Sequence, residues 1–172
     1  MSKSDIIAIY DKSSKIALLE STFAARQKSQ MTGLVGSSLS FVAHSLFKKS
    51  ELPFLILFSH KEEAAYYLND LEQLINAEDV LFYPSSYRRP YQIEETDNAN
   101  VLLRAEVLNR INSRKKPAII VSYAEAIFEK VVTRKELEKN TLKLSVEDKL
   151  SIDFINETLF EYNFKRVDFV TE

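Results

Sequence analysis

Pro53-Phe54-Leu55-Ile56-Leu57-Phe58 is an unbroken apolar run. It is far too short for a membrane span, which needs about 20 such residues. It reads as a strand buried on both faces, the kind found in parallel sheets. Its surroundings fit that reading. Ser59-His60-Lys61-Glu62 has the form of a capping box, opening a helix with Ala64, Leu68, Leu71 and Ile75 on one stripe. Val80 to Tyr83 is a short strand, and Pro84 to Thr96 is a polar, aromatic loop. Asp97 caps a helix carrying Leu103, Val107 and Ile111 on one face. Pro117 to Val121 is a second buried strand. Upstream, Ile16, Leu19 and Phe23 give Ser13 to Arg26 helical spacing. Met31 to Val35 is a short apolar strand, and Leu39 to Lys49 is a helix with Val42, Leu46 and Phe47 inward. The expected order is β-α-β-α-β-α-β: an α/β fold with a parallel sheet, right-handed crossovers and helices covering both faces.

Beyond Ser122 the pattern changes. Tyr123 to Lys130 and Thr133 to Glu136 read as short helices, the second opening with another capping box. Leu142, Leu144 and Val146 alternate with polar residues, the sign of a one-sided strand. Ser145 to Asp148 can cap a helix bearing Leu150, Phe154, Ile155 and Leu159, and Lys165 to Val170 alternates again. This tail reads as the start of a small α+β domain, with a boundary near Lys139. One helix and two strands are too few to stand alone, so the 172 residues are expected to be a piece of a longer protein.

Composition narrows the function classes. With 23 Lys+Arg against 25 Asp+Glu, the net charge of −2 argues against a strongly basic nucleic-acid binder, leaving room only for a local patch. The absence of cysteine excludes disulfides and thiolate metal sites. The N-terminus lacks a signal-peptide core. A cytoplasmic location and no membrane partner are expected.

The chain's two glycines, Gly33 and Gly36, both fall in one turn. A glycine turn between a strand and a helix is where backbone N–H groups cradle phosphates. Against the Walker A spacing G-x-x-x-x-G-K-[ST], Gly33 holds the first position and Ser40 the last. Ser38 stands where the second glycine belongs, and Leu39 replaces the lysine that reaches the β- and γ-phosphates. Gly36 and Ser37 complete the degenerate loop. No Asp-Glu pair follows a buried strand to hold magnesium. The plain reading is a vestigial loop retained for its geometry.

These stretches together resemble the bacterial transcription-repair coupling factors (Mfd), whose first domains are similar to the excision-repair protein UvrB. Met31 to Ser40 matches the UvrB P-loop position. Val80 to Pro84 with Tyr87, Pro90 and Tyr91 resembles the strand and loop after it. Leu103 to Arg110 resembles the next helix, and Ala118 to Ser122 with Ala124 and Ile127 the strand before the crossover. Asn163 to Asp168 with Val170 is similar to G-Y-x-R-V-D-x-V, with Asn163 and Phe164 in place of glycine and tyrosine. The resemblance runs from about Ala17 onward. It implies a degenerate P-loop NTPase or RecA-like domain over residues 1–139 and the beginning of a UvrA-binding domain over 140–172. It implies UvrA as partner, with the contact residues mostly beyond Glu172. Contacts with RNA polymerase and DNA would be made through other domains. ATP and magnesium would be needed only at a C-terminal translocase motor, leaving this part non-catalytic and without a cofactor. Two departures stand out. The Pro84 to Thr96 loop is too short for UvrB's damage-probing hairpin, and the chain stops before the family's P-G-x-F-x-x-R-G segment.

Other candidates are weaker. Tyr87, Arg88 and Arg89, among the loop's tyrosines, offer contacts to another domain or to nucleic acid by stacking and phosphate pairing. A surface loop packed on its own domain explains them as well. His44 and His60 have no spacing that suggests a metal. Ser37, Ser38 and Ser40 do not satisfy the nucleophile-elbow pattern. The rival functions are a UvrB-related P-loop nucleotide-binding enzyme and a DNA-binding scaffold.

Overall fold

The computed structural model describes residues 2–50, 52–87, 97–114, 116–139, 141–142, 144–146, 149–161 and 164. It divides into two compact units, Met1–Val131 and Val132–Glu172. In the first, helices α1 (Lys3–Asp11), α2 (Ser14–Ala24) and α3 (Ser38–Lys49) precede strand β1 (Phe54–Phe58). Helix α4 (Lys61–Leu74) leads through a single 3-10 turn into β2 (Val80–Tyr83). Helix α5 (Asn98–Ser113), β3 (Ile119–Tyr123) and the short α6 (Ala124–Phe128) complete the unit. The second unit contains α7 (Arg134–Lys139) and α8 (Ile152–Glu161).

The α/β expectation holds: among the described residues the strands form a parallel three-stranded sheet in the order β1-β3-β2. Strand β3 is central and wholly buried, with Ile119 and Val121 at zero exposure. Register pairs Ile56 and Phe82 with Val121, and Leu55 and Leu81 with Ile120. Because side chains alternate faces, Ile56, Val121 and Phe82 share one face with Phe58, whose ring stacks on Tyr67 of α4 at 4.6 Å. Leu81, Tyr83 and Ile120 share the other face with Leu55 and Leu57. There α5 supplies Val107 and Leu108. Right-handed crossovers demand this division, because the step from β1 to β2 and the return to β3 run in opposite directions. A second cluster of Ile16, Val42 and Leu46 seats α2 on α3, with Tyr10 and Leu19 beside it.

Several local expectations need correction. Met31 to Val35 is not a strand. Gly33 and Gly36 sit at φ +80° and +53°, outside the extended range, and Val35 is 83% exposed. Strand β1 is not buried on both faces: it lies at the sheet edge, with Leu55 and Leu57 exposed. The sheet is therefore covered on both faces at β2 and β3 but only on one at β1. Ile111 is half exposed at the rim of that opening. The N-cap of α4 is His60, one residue later than expected, with no side-chain cap bond. Asp97 does cap α5, accepting from Ala99 N at 3.0 Å and Asn100 N at 3.3 Å. In the second unit Thr133 Oγ1 accepts from Glu136 N at 3.3 Å, as expected of a cap. The described residues between 141 and 146 form no strand, and Val146 is almost fully exposed. The cap of α8 comes from Ser151, which accepts from Phe154 N at 3.0 Å, and not from Ser145. The expected strand at Lys165 to Val170 lies outside the described residues, as do Arg88 and Arg89.

Candidate functional site

The glycine turn enters α3 with its own hydrogen bonds already made. Val35 N donates to Ser38 Oγ at 2.7 Å. Ser38 N donates to Val35 O and Ser40 N to Ser37 O, at 3.2 and 3.0 Å. A phosphate cradle needs such N–H groups pointing at the ligand. Here those of Val35, Ser38 and Ser40 point back into the turn.

The side chains are also committed. Ser40 is buried at 1% exposure, and its hydroxyl donates to Asp70 Oδ2 of α4 at 3.4 Å. Ser37 Oγ lies 3.3 Å from Tyr66 OH. Tyr67 OH donates to Gly36 O at 3.2 Å. Burial, with Glu63, Tyr66 and Asp70 nearby, pushes the Tyr67 phenol up, so it remains a donor. Leu39, at the lysine position, packs against the main core. Gly33 and Gly36 have open space where a Cβ would stand. The turn needs glycine for its backbone angles alone. Chemically, this arrangement is a clasp between α3 and α4, with a carboxylate on the serine that would have met magnesium.

A second constellation forms where β2 and β3 end. Arg104, on α5, is 6% exposed. Its Nη1 donates to Pro84 O at 2.7 Å and Ala126 O at 3.1 Å. Its guanidinium lies 4.2 Å from the Tyr83 ring centroid, a cation–π distance. Its Nη2 stands 3.5 Å from Glu129 Oε1, both side chains being under a tenth exposed. Glu129 also accepts from Ser85 Oγ at 3.1 Å, Ser86 N at 2.8 Å and Ser86 Oγ. Burial pushes the Glu129 carboxyl up, but the Ser86 bonds, Arg104 and Ser85 outweigh it and hold the group below its ordinary value. Tyr123 OH accepts from Ser85 N at 2.9 Å. Asp97 N donates to Ser86 O at 2.8 Å, tying the far end of the loop to its start.

Next to this network is a polar recess of about 250 Å³ lined by His60, Lys61, Glu62, Ser85, Tyr87, Tyr123 and Glu125. It lies beyond the carboxyl ends of the three strands, where open α/β sheets bind ligands. Of the residues named for interdomain or nucleic-acid contact, Tyr87 lines it. None of the glycine-turn residues, Gly33 to Ser40, is among those lining the recess. His60 is exposed here as the α4 N-cap. His44 is buried in α3, and desolvation lowers its pKa.

The residues alone do not reveal Arg104 and Glu129 as partners. The available signal is an arginine three positions before Val107 on an otherwise apolar stripe. A buried cation there requires an anion. Nothing local in the chain points to Glu129.

The chain is similar in sequence to known proteins. Over 127 residues, 73% of the chain, it is 28% identical to a transcription-repair-coupling factor of Rickettsia bellii. Over the same share it is 24% identical to that of Rickettsia prowazekii. The chain resembles the transcription-repair-coupling factors. The matched region spans 11% of each of these relatives. No protein-family model matches the chain, and no solved structure matches it. No helix among the described residues is long and apolar enough to cross a membrane.

Proposed function

We propose that this chain is a non-catalytic interaction and regulatory part of a transcription-repair coupling factor. In this reading residues 1–139 are a UvrB-like, RecA-type domain whose nucleotide loop has been converted into a structural clasp. Residues 140–172 begin a UvrA-binding domain. The observation that carries the non-catalytic reading is the clasp: Leu39 packed against the core, and Ser40 buried against Asp70. A lysine-free loop lacks the cation that holds a triphosphate, and the N–H groups of Val35, Ser38 and Ser40 are turned inward. The kinship with coupling factors supports the setting. The whole assembly would displace stalled RNA polymerase with an ATP-driven motor lying outside these residues, and would recruit UvrA through contacts mostly beyond Glu172. Tyr87, Arg88 and Arg89 are proposed to meet another domain of the same protein.

Two titrations test this. Calorimetry with magnesium-ATP should show no binding in the micromolar range. Micromolar binding would replace this reading with that of a UvrB-related nucleotide-binding enzyme. Immobilised UvrA should capture a form extended past Glu172 and not the 172-residue chain. If neither form binds, the kinship describes ancestry alone.

A further inference from the structure

Glu129 fastens three pieces of the first unit at one point. It follows α6 directly and stands two residues before Val131, where that unit ends. Its Oε2 accepts from Ser86 N at 2.8 Å and Ser85 Oγ at 3.1 Å, and its Oε1 accepts from Ser86 Oγ. Further bonds carry the attachment onward. Ser86 O accepts from Asp97 N at 2.8 Å, and Asp97 caps α5. Ser85 N donates to Tyr123 OH at 2.9 Å, and Ser85, Tyr87 and Tyr123 all border the polar recess. Among the described residues no backbone bond joins Lys130 or Val131 to another element. Within the first unit, the polar attachment of this departing segment therefore runs through one buried carboxylate.

We propose that Glu129 is a latch that ties the order of the residues after β2 to the position of the segment leaving the first unit. Seated, the carboxylate holds Ser85 and Ser86, and with Ser85 one wall of the recess. Withdrawn, it frees both serines together. Two features make the change discrete. The Glu129 side chain is 8% exposed and that of Arg104 7%. A carboxylate shifted part-way loses its partners without reaching water, which costs more than either end state. The socket also outlasts the withdrawal. Pro84 O and Ala126 O still hold Arg104 Nη1, and the Tyr83 ring still faces the guanidinium. The latch can therefore reseat. Such coupling is reciprocal: withdrawing the segment frees the serines, and cutting the serine bonds frees the segment.

Amide hydrogen exchange and relaxation, read by nuclear magnetic resonance on the full 172-residue chain, test both directions. In the unsubstituted chain the Ser85, Ser86 and Asp97 amides should share one protection factor, below that of Ile119 to Val121 in the central strand. This reading does not depend on any variant folding. Glu129→Asp keeps the charge and withdraws the carboxylate by one C–C bond, about 1.5 Å. It should speed exchange of the Ser86 and Asp97 amides by about tenfold or more, the size expected for losing hydrogen bonds to a charged group. Glu129→Gln, which keeps the length and removes the charge, should act in the same direction. In reverse, Ser85→Ala with Ser86→Ala should lower the backbone order parameters of Lys130 and Val131 from about 0.85 toward about 0.6, although neither residue touches the serines. Protection factors that differ more than about tenfold among the three amides would show that they do not open together, and would overturn the proposal. So would acceleration of Ile119 to Val121 by the same factor in the Glu129 variants, since the whole unit would then have loosened. Serine variants that leave Lys130 and Val131 unmoved would overturn it as well.

Discussion

Glu129→Ala is expected to be among the most damaging single substitutions in the first unit. It removes the anion paired with Arg104 at 3.5 Å and leaves a guanidinium of 6% exposure with only the carbonyls of Pro84 and Ala126 and the Tyr83 ring around it. It also strands the Ser85 and Ser86 donors. Breaking a buried pair from one side costs about 3–5 kcal/mol, and that figure is expected here. Arg104→Met fills similar volume with apolar atoms and leaves Glu129 its serine partners, so about 2 kcal/mol is expected. The double variant should be less harmful than the sum by about 1–3 kcal/mol, the coupling typical of one network. The assay is urea unfolding followed by far-ultraviolet circular dichroism, since the chain has no tryptophan. The pH dependence has a definite sign. The folded carboxyl titrates below its ordinary 4.5, so its stabilisation is complete above that value and is lost as pH falls through the lowered one. The gap between parent and Glu129→Ala must therefore narrow in acid. A Glu129→Ala cost under about 1 kcal/mol, or strict additivity with Arg104→Met, would refute the reasoning.

Further outcomes follow from single elements. Gly36→Ala should cost about 1–2 kcal/mol from its left-handed backbone alone, and Gly36→Asn less. A cost well above that in the same unfolding assay would mean the site is sterically crowded, contrary to the open space around it. His44 is held neutral by desolvation, its pKa lying below the ordinary 6.5. The unfolded chain thus takes up a proton that the folded one refuses, and stability should fall as pH drops below 6.5, by at most about 1.4 kcal/mol per unit. His44→Gln should flatten that slope, and an unchanged slope assigns it to another group. Asp97→Ala removes the acceptor for two α5 N–H groups and should cost about 1 kcal/mol, read as a shift in urea midpoint.

Local chemistry is legible in the order of residues. Apolar runs at 54–58, 80–83 and 119–121, separated by helical stripes, imply a parallel sheet because only helical crossovers connect such strands. Asp97 announces a helix start because its carboxylate accepts the orphan N–H groups of the first turn. The substitution of Leu39 at the lysine position is likewise plain, since a motif depends on residue type at fixed spacing. Three things depend on folding. Periodicity cannot tell a central strand from an edge strand of equal hydrophobicity, so β1 and β3 read alike although one is open and the other closed. Whether Met31 to Val35 becomes a strand depends on a partner strand and on the positive φ of its glycine, neither of which hydropathy records. Arg104 and Glu129 are twenty-five positions apart in the sequence, and only the packing of α5 beside the ends of β2 and β3 brings them together. Short-range order is set by a residue and its near neighbours, whereas burial and ion pairing are set by which distant segments exclude water from the same volume.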